Sequence, residues 1–431
     1  MLKQSIIKPE HKQKVIESYE WLCKVLKEEV ALIEKNGPSM IPEIDFKLVH
    51  ENNGELPDGF AELVRERGCC ILRNVVSVQQ AEKWETDLKD YTKRHRGVGG
   101  FPENNPQNWS LFWTKPQVEI RSHESVLEAM SAVSKLWHTS DPTLPIDLAS
   151  QVAYPDRFRI RHPTLEQEYT LNNHLDSGGI ERWEDDEYRS CYQAIFEGRW
   201  DEYDAWDATP RPNAKTDLYG NSSACSCWRS LQGWLSLSHT GTGEGTLRLL
   251  PNMKAALAYI MLRPFFVNGA FDDVTATFPG ADPGWLQFYP TTDFHPDLDL
   301  KRSVVGIPPV KPGDYVFWHA DVVHEVDKFH PGKTDSSVAY NACTPLIPYN
   351  LESLANTKKA FLAVERPSDF QGLTAGETEK DHEDHGARLE NILSLEGKRA
   401  MGFGKFDTEE PGITEGQRKM RQMANERLGL A

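Results

Sequence analysis

The sequence predicts an α+β chain that is mainly β: an antiparallel sandwich or barrel with helices added at both ends. Three observations carry this. Short β-branched and aromatic runs, parted by Gly, Pro and Asn turns, fill the middle of the chain. Helical periodicity dominates on either side of them. No repeat or low-complexity linker divides the 431 residues, which suit one elaborated domain as well as several. The expected parts are a helical region over 1–145 packed on the core with one strand, a β core over 146–348, and a helical extension over 349–431.

Each element follows from its residues. Val15, Ile16, Tyr19, Leu22, Val25 and Leu26 recur at helical spacing, and Asn36-Gly37-Pro38 stops that helix. "GCCILRNVV" reads as a strand. Ser77, with Gln80 three residues on, opens a helix as a capping box, and Val78, Ala81, Trp84, Leu88 and Tyr91 lie along one side of it. "SVLEAMSAVSKLWH" is a further helix. The core strands are "RFRIR", "GWLSLSH", "GTLRLLP", "DYVFWH" and "SSVAYNAC". Between the first two lies an aromatic, acidic stretch at about 181–230 that reads as a helical insertion. Beyond Pro348 the chain turns helical and charged, ending in "TEGQRKMRQMANERLGL".

Charge and cysteine content narrow the function. A formal charge of −17 argues against nucleic acid or an anionic membrane as the main partner, and leaves a small-molecule substrate. No apolar run has transmembrane length, and the N-terminus lacks a signal-peptide pattern. Seven cysteines without metal spacing read as reduced thiols, so a cytoplasmic setting is expected. The sequence carries no mark of oligomeric state. P-loop, nucleophile-elbow and dinucleotide fingerprints are absent.

The chemistry-bearing pattern is the triplet His174-Leu175-Asp176, followed by Ser177-Gly178-Gly179. In a strand, residues i and i+2 share a face, so an imidazole and a carboxylate project together. That is the local half of a facial triad of two histidines and one carboxylate. Three other H-x-D triplets exist, and they temper the signal. His295-Pro296-Asp297 suits a turn, His382-Glu383-Asp384 suits a solvated tail, and His319-Ala320-Asp321 lies in the strand after Pro312-Gly313-Asp314. The distal histidine is expected from that last strand. His319 and His324 differ by five and face opposite ways, so periodicity leaves both open.

With these motifs in view, the chain resembles the phytanoyl-CoA dioxygenase-like Fe(II)/2-oxoglutarate oxygenases. Gly245 to Lys254 matches that group's N-G-x-L-x-V-x-P-G-S-H-K strand, and Gly313-Asp314…Trp318…His324 matches its G-D-x-x-x-F/W-x-x-x-x-x-H strand. "NNHLDSGGIERW", "EYDAWD" and "WHADVVHEV" are closer still to the bacterial and fungal domain of unknown function family 1479. The resemblance implies a double-stranded β-helix, or jelly roll, with Fe(II) on His174, Asp176 and His324. It also implies 2-oxoglutarate and O2 as co-substrates, and a hydroxylase giving succinate and CO2. Asp176 favours hydroxylation over halogenation. His319 is then core or a neighbour of the ligands.

One part of that pattern is missing. The group places an Arg after the distal histidine to hold the far carboxylate of 2-oxoglutarate, whereas "KFHPGKTDSSVAYNACTP" has none. A buried dianion needs a cation, and Arg meets a carboxylate with two hydrogen bonds. Arg248 is the leading expectation, then Arg161 (with Arg159 on the same face of "RFRIR") and Lys333, with Ser337 or Tyr340 adding a hydroxyl. Two rival readings stand beside the oxygenase: a jelly-roll binding protein without redox turnover, and a cupin-like metal isomerase or lyase.

Overall fold

The computed structural model describes residues 2–166, 171–221, 224–372 and 376–430. Its first strands are β1 (Glu43–Asp45), β2 (Cys69–Arg73), β3 (Gly100–Phe101), β4 (Asn108–Trp109) and β5 (Asp147–Gln151). Then come β6 (Phe158–Arg161), β7 (Leu231–Ser236), β8 (Leu247–Leu249), β9 (Phe266–Val267) and β10 (Ala270–Phe271). The last are β11 (Val305–Gly306), β12 (Tyr315–His319), β13 (His324–Val326), β14 (Ser336–Tyr340) and β15 (Pro345–Leu346).

Eight of them form one sheet in the order β1-β2-β12-β7-β14-β6-β4-β3, antiparallel except for the pair β1 and β2. A second antiparallel sheet has the order β11-β8-β13. The architecture is a mixed α/β fold with one large antiparallel sheet. The strand at Cys69–Leu72 is fully buried and pairs with β12, so the helical N-terminal region supplies a strand to the large sheet.

The helices form where apolar positions recur. The one at Lys12–Asn36 buries Val15, Tyr19, Leu22, Leu26, Val30 and Ile33, and Gly37 at φ +54 ends it. Each fully buried Leu or Val contributes roughly 1.5–3 kcal/mol relative to exposure. Tyr19 stacks on Tyr259 and Phe266, tying this helix to the one at Met253–Leu262. That second helix is a correction to the reading of 146–348 as strands with a single insertion. Nine of its ten residues are buried, so it shows no polar face and no period in the sequence. Ser77 caps Val78–Arg94 by accepting from the Gln80 amide at 3.2 Å, although the reciprocal half of a capping box is not formed.

The turn before β12 demands its glycine. Gly313 sits at φ +90, and a Cβ there would lie 2.0 Å from the Val76 carbonyl oxygen. Asp314 then fixes the turn, accepting from the Asn74 and Lys311 amides and from Arg73. All seven cysteines are free. Among the described residues no helix is long and apolar enough to cross a membrane.

Candidate metal centre

A break in the strand parts His319 from His324. β12 ends at His319 in the large sheet, the chain turns, and β13 begins at His324 in the small sheet. Alternation across the five residues does not apply, because the backbone crosses from one sheet to the other between them. His174 continues the small sheet past β13. It exchanges two backbone hydrogen bonds with His324, at 2.9 and 3.1 Å. Leu175 does the same with Phe288 at 2.9 and 3.0 Å, on its other side. Ser177 at φ +68 and Gly178 at φ +86 then turn the chain away. A Cβ on Gly178 would lie 2.5 Å from the Thr216 carbonyl oxygen, so the turn behind Asp176 needs that glycine.

This framework gathers His174, Asp176 and His324 so that one ligand atom of each lies within 4.8 Å of the others. His174 Nδ1 donates to the Asn172 carbonyl at 2.6 Å, and His324 Nδ1 to the Val322 carbonyl at 2.9 Å. A carbonyl can only accept, so each Nδ1 carries the hydrogen and each Nε2 keeps its lone pair. Both Nε2 atoms face Asp176, at 3.9 Å from Oδ1 for His174 and 3.5 Å from Oδ2 for His324. Burial, helped by the neighbouring His324, pushes His174 down to about 4, so it is neutral near pH 7. Burial works against a charged Asp176. The adjoining His324 ring, His174 and Arg229 outweigh it and hold the carboxyl well below the usual range. Two imidazoles and one carboxylate gathered on one side, with the other side open to a cleft, form a donor set able to hold a divalent metal.

The cleft has two joined parts. The inner part, 190 Å³, is lined by the three cluster residues with Arg229, Gln232, Trp234, Gln287 and Trp318. The outer part, 360 Å³, adds Phe101, Pro102, Gln107 and Arg161. Arg157, Arg159, Leu171 and Tyr340 line both. Gln287 Nε2 donates to Asp176 Oδ1 at 2.6 Å, and Arg229 Nη2 lies 3.9 Å from Oδ2.

The expected anchors fall in different places. Arg248 is not in this cleft. It pairs with Glu325 at 2.9 Å and donates to the Val304 carbonyl, lining a separate outer groove of 810 Å³. The alternation along β8 is as expected, but its sense is reversed: Leu247 faces the cleft, Leu249 pairs with His324, and Arg248 points away. Ser337 lies on the far face of the large sheet, where its hydroxyl donates to Glu85 at 2.6 Å. Lys333 is exposed and lines neither part. Arg161 lines the outer part and donates to the Asp327 and Lys328 carbonyls, while Tyr340 lines both parts. Arg159, two residues before Arg161, reaches the inner part as well.

The other H-x-D triplets lie elsewhere in the fold, and His382 stands with His95 and Glu377 in a second cluster whose ligand atoms lie within 4.8 Å of one another. His295 is buried and precedes a turn at Pro296–Leu298. His382 is buried, not solvated as its charged surroundings suggest. Its ring stacks on His95 at 3.6 Å, its Nδ1 meets the Tyr91 hydroxyl, and Asp384 pairs with Arg94 and His95. His319 donates from Nε2 to the Ala205 carbonyl at 3.0 Å and accepts the Asp321 amide at Nδ1. Asp321 is buried between two arginines, Arg182 at 2.6 Å and Arg211 at 2.7 Å. Arg182 also donates to the Asp176 carbonyl at 2.8 Å, linking this network to the cluster.

Arg229 and Gln287 were not foreseen. Arg229 lies in "CSCWRS", before the alternation of β7 begins, and Gln287 in a loop that bridges to the H-x-D segment. No local pattern marks either.

Comparison with known proteins places the chain. The sequence profile of the Gig2-like family matches residues 1–403. The Escherichia coli K12 protein YbiU is 28% identical over 390 residues, covering 87% of this chain and 88% of YbiU. The crystal structure of GlcNAc Inducible Gene 2, GIG2 (DUF1479), from Candida albicans superimposes with TM-score 0.89. It is 39% identical and covers 99% of this chain and 94% of its own. The crystal structure of the hypothetical protein JW0805 from Escherichia coli gives TM-score 0.79 at 27% identity, over 93% and 96% of the two chains.

Proposed function

The chain belongs to the Gig2-like family, and from that premise we propose that it is a non-haem Fe(II)/2-oxoglutarate-dependent oxygenase that hydroxylates a small molecule. The observation that carries this is the pair of Nε2 lone pairs and the Asp176 carboxylate converging at one end of the cleft. The strand order supports it. β6-β14-β7-β12 lies in one sheet and β11-β8-β13 in the other, with His174 added beside β13, and both sheets face one cleft. We read that as a double-stranded β-helix.

His174, Asp176 and His324 would hold Fe(II), which supplies O2 activation coupled to decarboxylation of 2-oxoglutarate. The rest is done by the chain itself. The Asn172 and Val322 carbonyls fix the tautomers of both histidines. Gln287 holds Asp176 Oδ1, the oxygen facing His174, leaving Oδ2 turned toward His324. Leu171, Leu247, Val326 and Trp318 line the cleft with apolar surface and limit water at the reacting centre. Arg159 takes the far carboxylate of 2-oxoglutarate. It pairs with Val338 of β14, the strand on which the related oxygenases carry their arginine, and its Nε has no hydrogen-bond partner.

Anaerobic titration of Fe(II) and then 2-oxoglutarate, followed by the metal-to-ligand absorption band, tests this. The wild type is expected to bind one iron and develop the band, and O2 then to give succinate. Arg159→Gln should weaken 2-oxoglutarate binding at least tenfold, about 1.4 kcal/mol, with iron retained. Iron binding without consumption of 2-oxoglutarate would replace the oxygenase by a metal isomerase or lyase.

A further inference from the structure

Arg229 is the cation of the cleft that the proposed reaction leaves without work. We infer that it seats an anionic group of the substrate, so that the substrates are small organic anions bearing a carboxylate or a phosphate. This rests on the oxygenase reading above.

The first argument is charge. Three arginines and two aspartates line the inner cleft: Arg157, Arg159, Arg229, Asp156 and Asp176. Arg157 is taken by Asp156 at 3.2 Å. Arg159 and Arg229 against Asp176 leave one positive charge. A divalent metal raises the surplus to three, and 2-oxoglutarate, a dianion, brings it back to one. An unpaired guanidinium in this largely buried cleft is unfavourable, so a second anion is favoured there.

The second is hydrogen bonding. Arg229 Nε, Gln232 Nε2, Trp318 Nε1 and Arg159 Nε all belong to cleft-lining residues, are buried, and have no hydrogen-bond partner. All four are donors, against one such acceptor, Asn108 Oδ1. A cleft with spare donors calls for a ligand rich in acceptors.

The third is position. Arg229 precedes Leu231, which pairs with His319 at the end of β7 where the chain leaves for His324. Arg159 pairs with Val338, which pairs with Ser236 at the opposite end of β7. At roughly 3.3 Å per residue the two ends of that strand are well over a carboxylate's width apart. A 2-oxoglutarate carboxylate paired with Arg159 therefore leaves Arg229 vacant on the other flank of the cluster. The present partner of Arg229 is Asp176, at 3.9 Å and without a hydrogen bond.

The test is calorimetry on anaerobic Fe(II)-loaded protein saturated with 2-oxoglutarate, titrated with acetate, benzoate and inorganic phosphate, and with acetamide and benzamide as neutral counterparts. At least one anion should bind and its neutral counterpart should not. The carboxylates and phosphate tell the two anion types apart. Arg229→Gln should weaken that binding tenfold or more and Arg229→Lys should restore part of it, with the affinities for iron and 2-oxoglutarate unchanged. The inference is overturned if iron and 2-oxoglutarate bind normally but no anion follows, with the oxygenase reading left intact. It is also overturned if Arg229→Gln loosens the metal while anion binding stays the same, which would make Arg229 a holder of Asp176. Absence of iron and 2-oxoglutarate binding brings down the oxygenase reading itself, and this inference with it.

Discussion

Two H-x-D triplets lie within the same fold, and their fates are opposite. His319 and Asp321 are as buried as His174, yet each of their polar side-chain atoms has a hydrogen-bond partner. His319 gives and takes hydrogen bonds with backbone, and Asp321 accepts from Arg182, Arg211 and Tyr192. His174 uses one ring nitrogen on a carbonyl and turns the other toward Asp176, whose second oxygen faces His324. The lesson concerns satisfaction, not residue type. A saturated polar cluster holds the fold together, and an unsaturated one is poised to bind.

The largest expected effect breaks the saturated cluster. Asp321→Asn leaves two buried guanidinium groups without their counter-charge, and should cost about 3–5 kcal/mol in denaturant unfolding of the metal-free protein. Asp176→Asn should cost far less, because its side chain is partly exposed and its guanidinium neighbour, Arg229, stands 3.9 Å away without a hydrogen bond. Equal losses would erase the contrast between the two triplets.

Protonation gives a second test. Burial pushes His319 down to about 4, against 6.5 when free, with Asp321 opposing only in part. Between these values the unfolded chain binds a proton that the folded one refuses. Stability from this group is therefore complete above pH 6.5, falls as pH drops toward 4, and is flat below. The loss is about 3 kcal/mol. In His319→Asn the pH slope of the unfolding free energy over that window should flatten, by a total of about 3 kcal/mol, whatever the variant's absolute stability. An unchanged slope would mean that His319 is not buried as a neutral ring.

Metal sharpens the comparison from the other side. Fe(II) at a hundred times its dissociation constant should stabilise the wild type by about 2.7 kcal/mol, since it binds only the folded state. His174→Ala and His324→Ala should lose both the metal and the shift in melting temperature. His319→Ala, although weaker as a fold, should still bind one equivalent. A metal-dependent shift that survives in His324→Ala would move the site elsewhere.

Much of the fold was legible because it is local. The strands at Phe158–Arg161, Leu231–Ser236 and Tyr315–His319 and the helices at Lys12–Asn36 and Val78–Arg94 follow from period, turn residues and stops within a few positions of each other. The helix at Met253–Leu262 was not legible, since burial on every side removes the period. The alternation that put Arg248 opposite its leucines was also readable from the sequence. Which of the two sets faces the cleft was not, because that depends on what covers each side of the small sheet.

The sequence by itself determined which side chains come two apart on an extended segment, where the glycine turns must fall, and that a histidine follows the Pro-Gly-Asp turn. Only the tertiary structure decided which triplet stays open. The donors and acceptors that saturate Asp321 arrive from Arg182, Tyr192 and Arg211, far off in the chain, and the lone pairs that meet at Asp176 are aimed by a sheet crossing between His319 and His324. Hydrogen-bond satisfaction is a property of a place in space, so no stretch of sequence contains it.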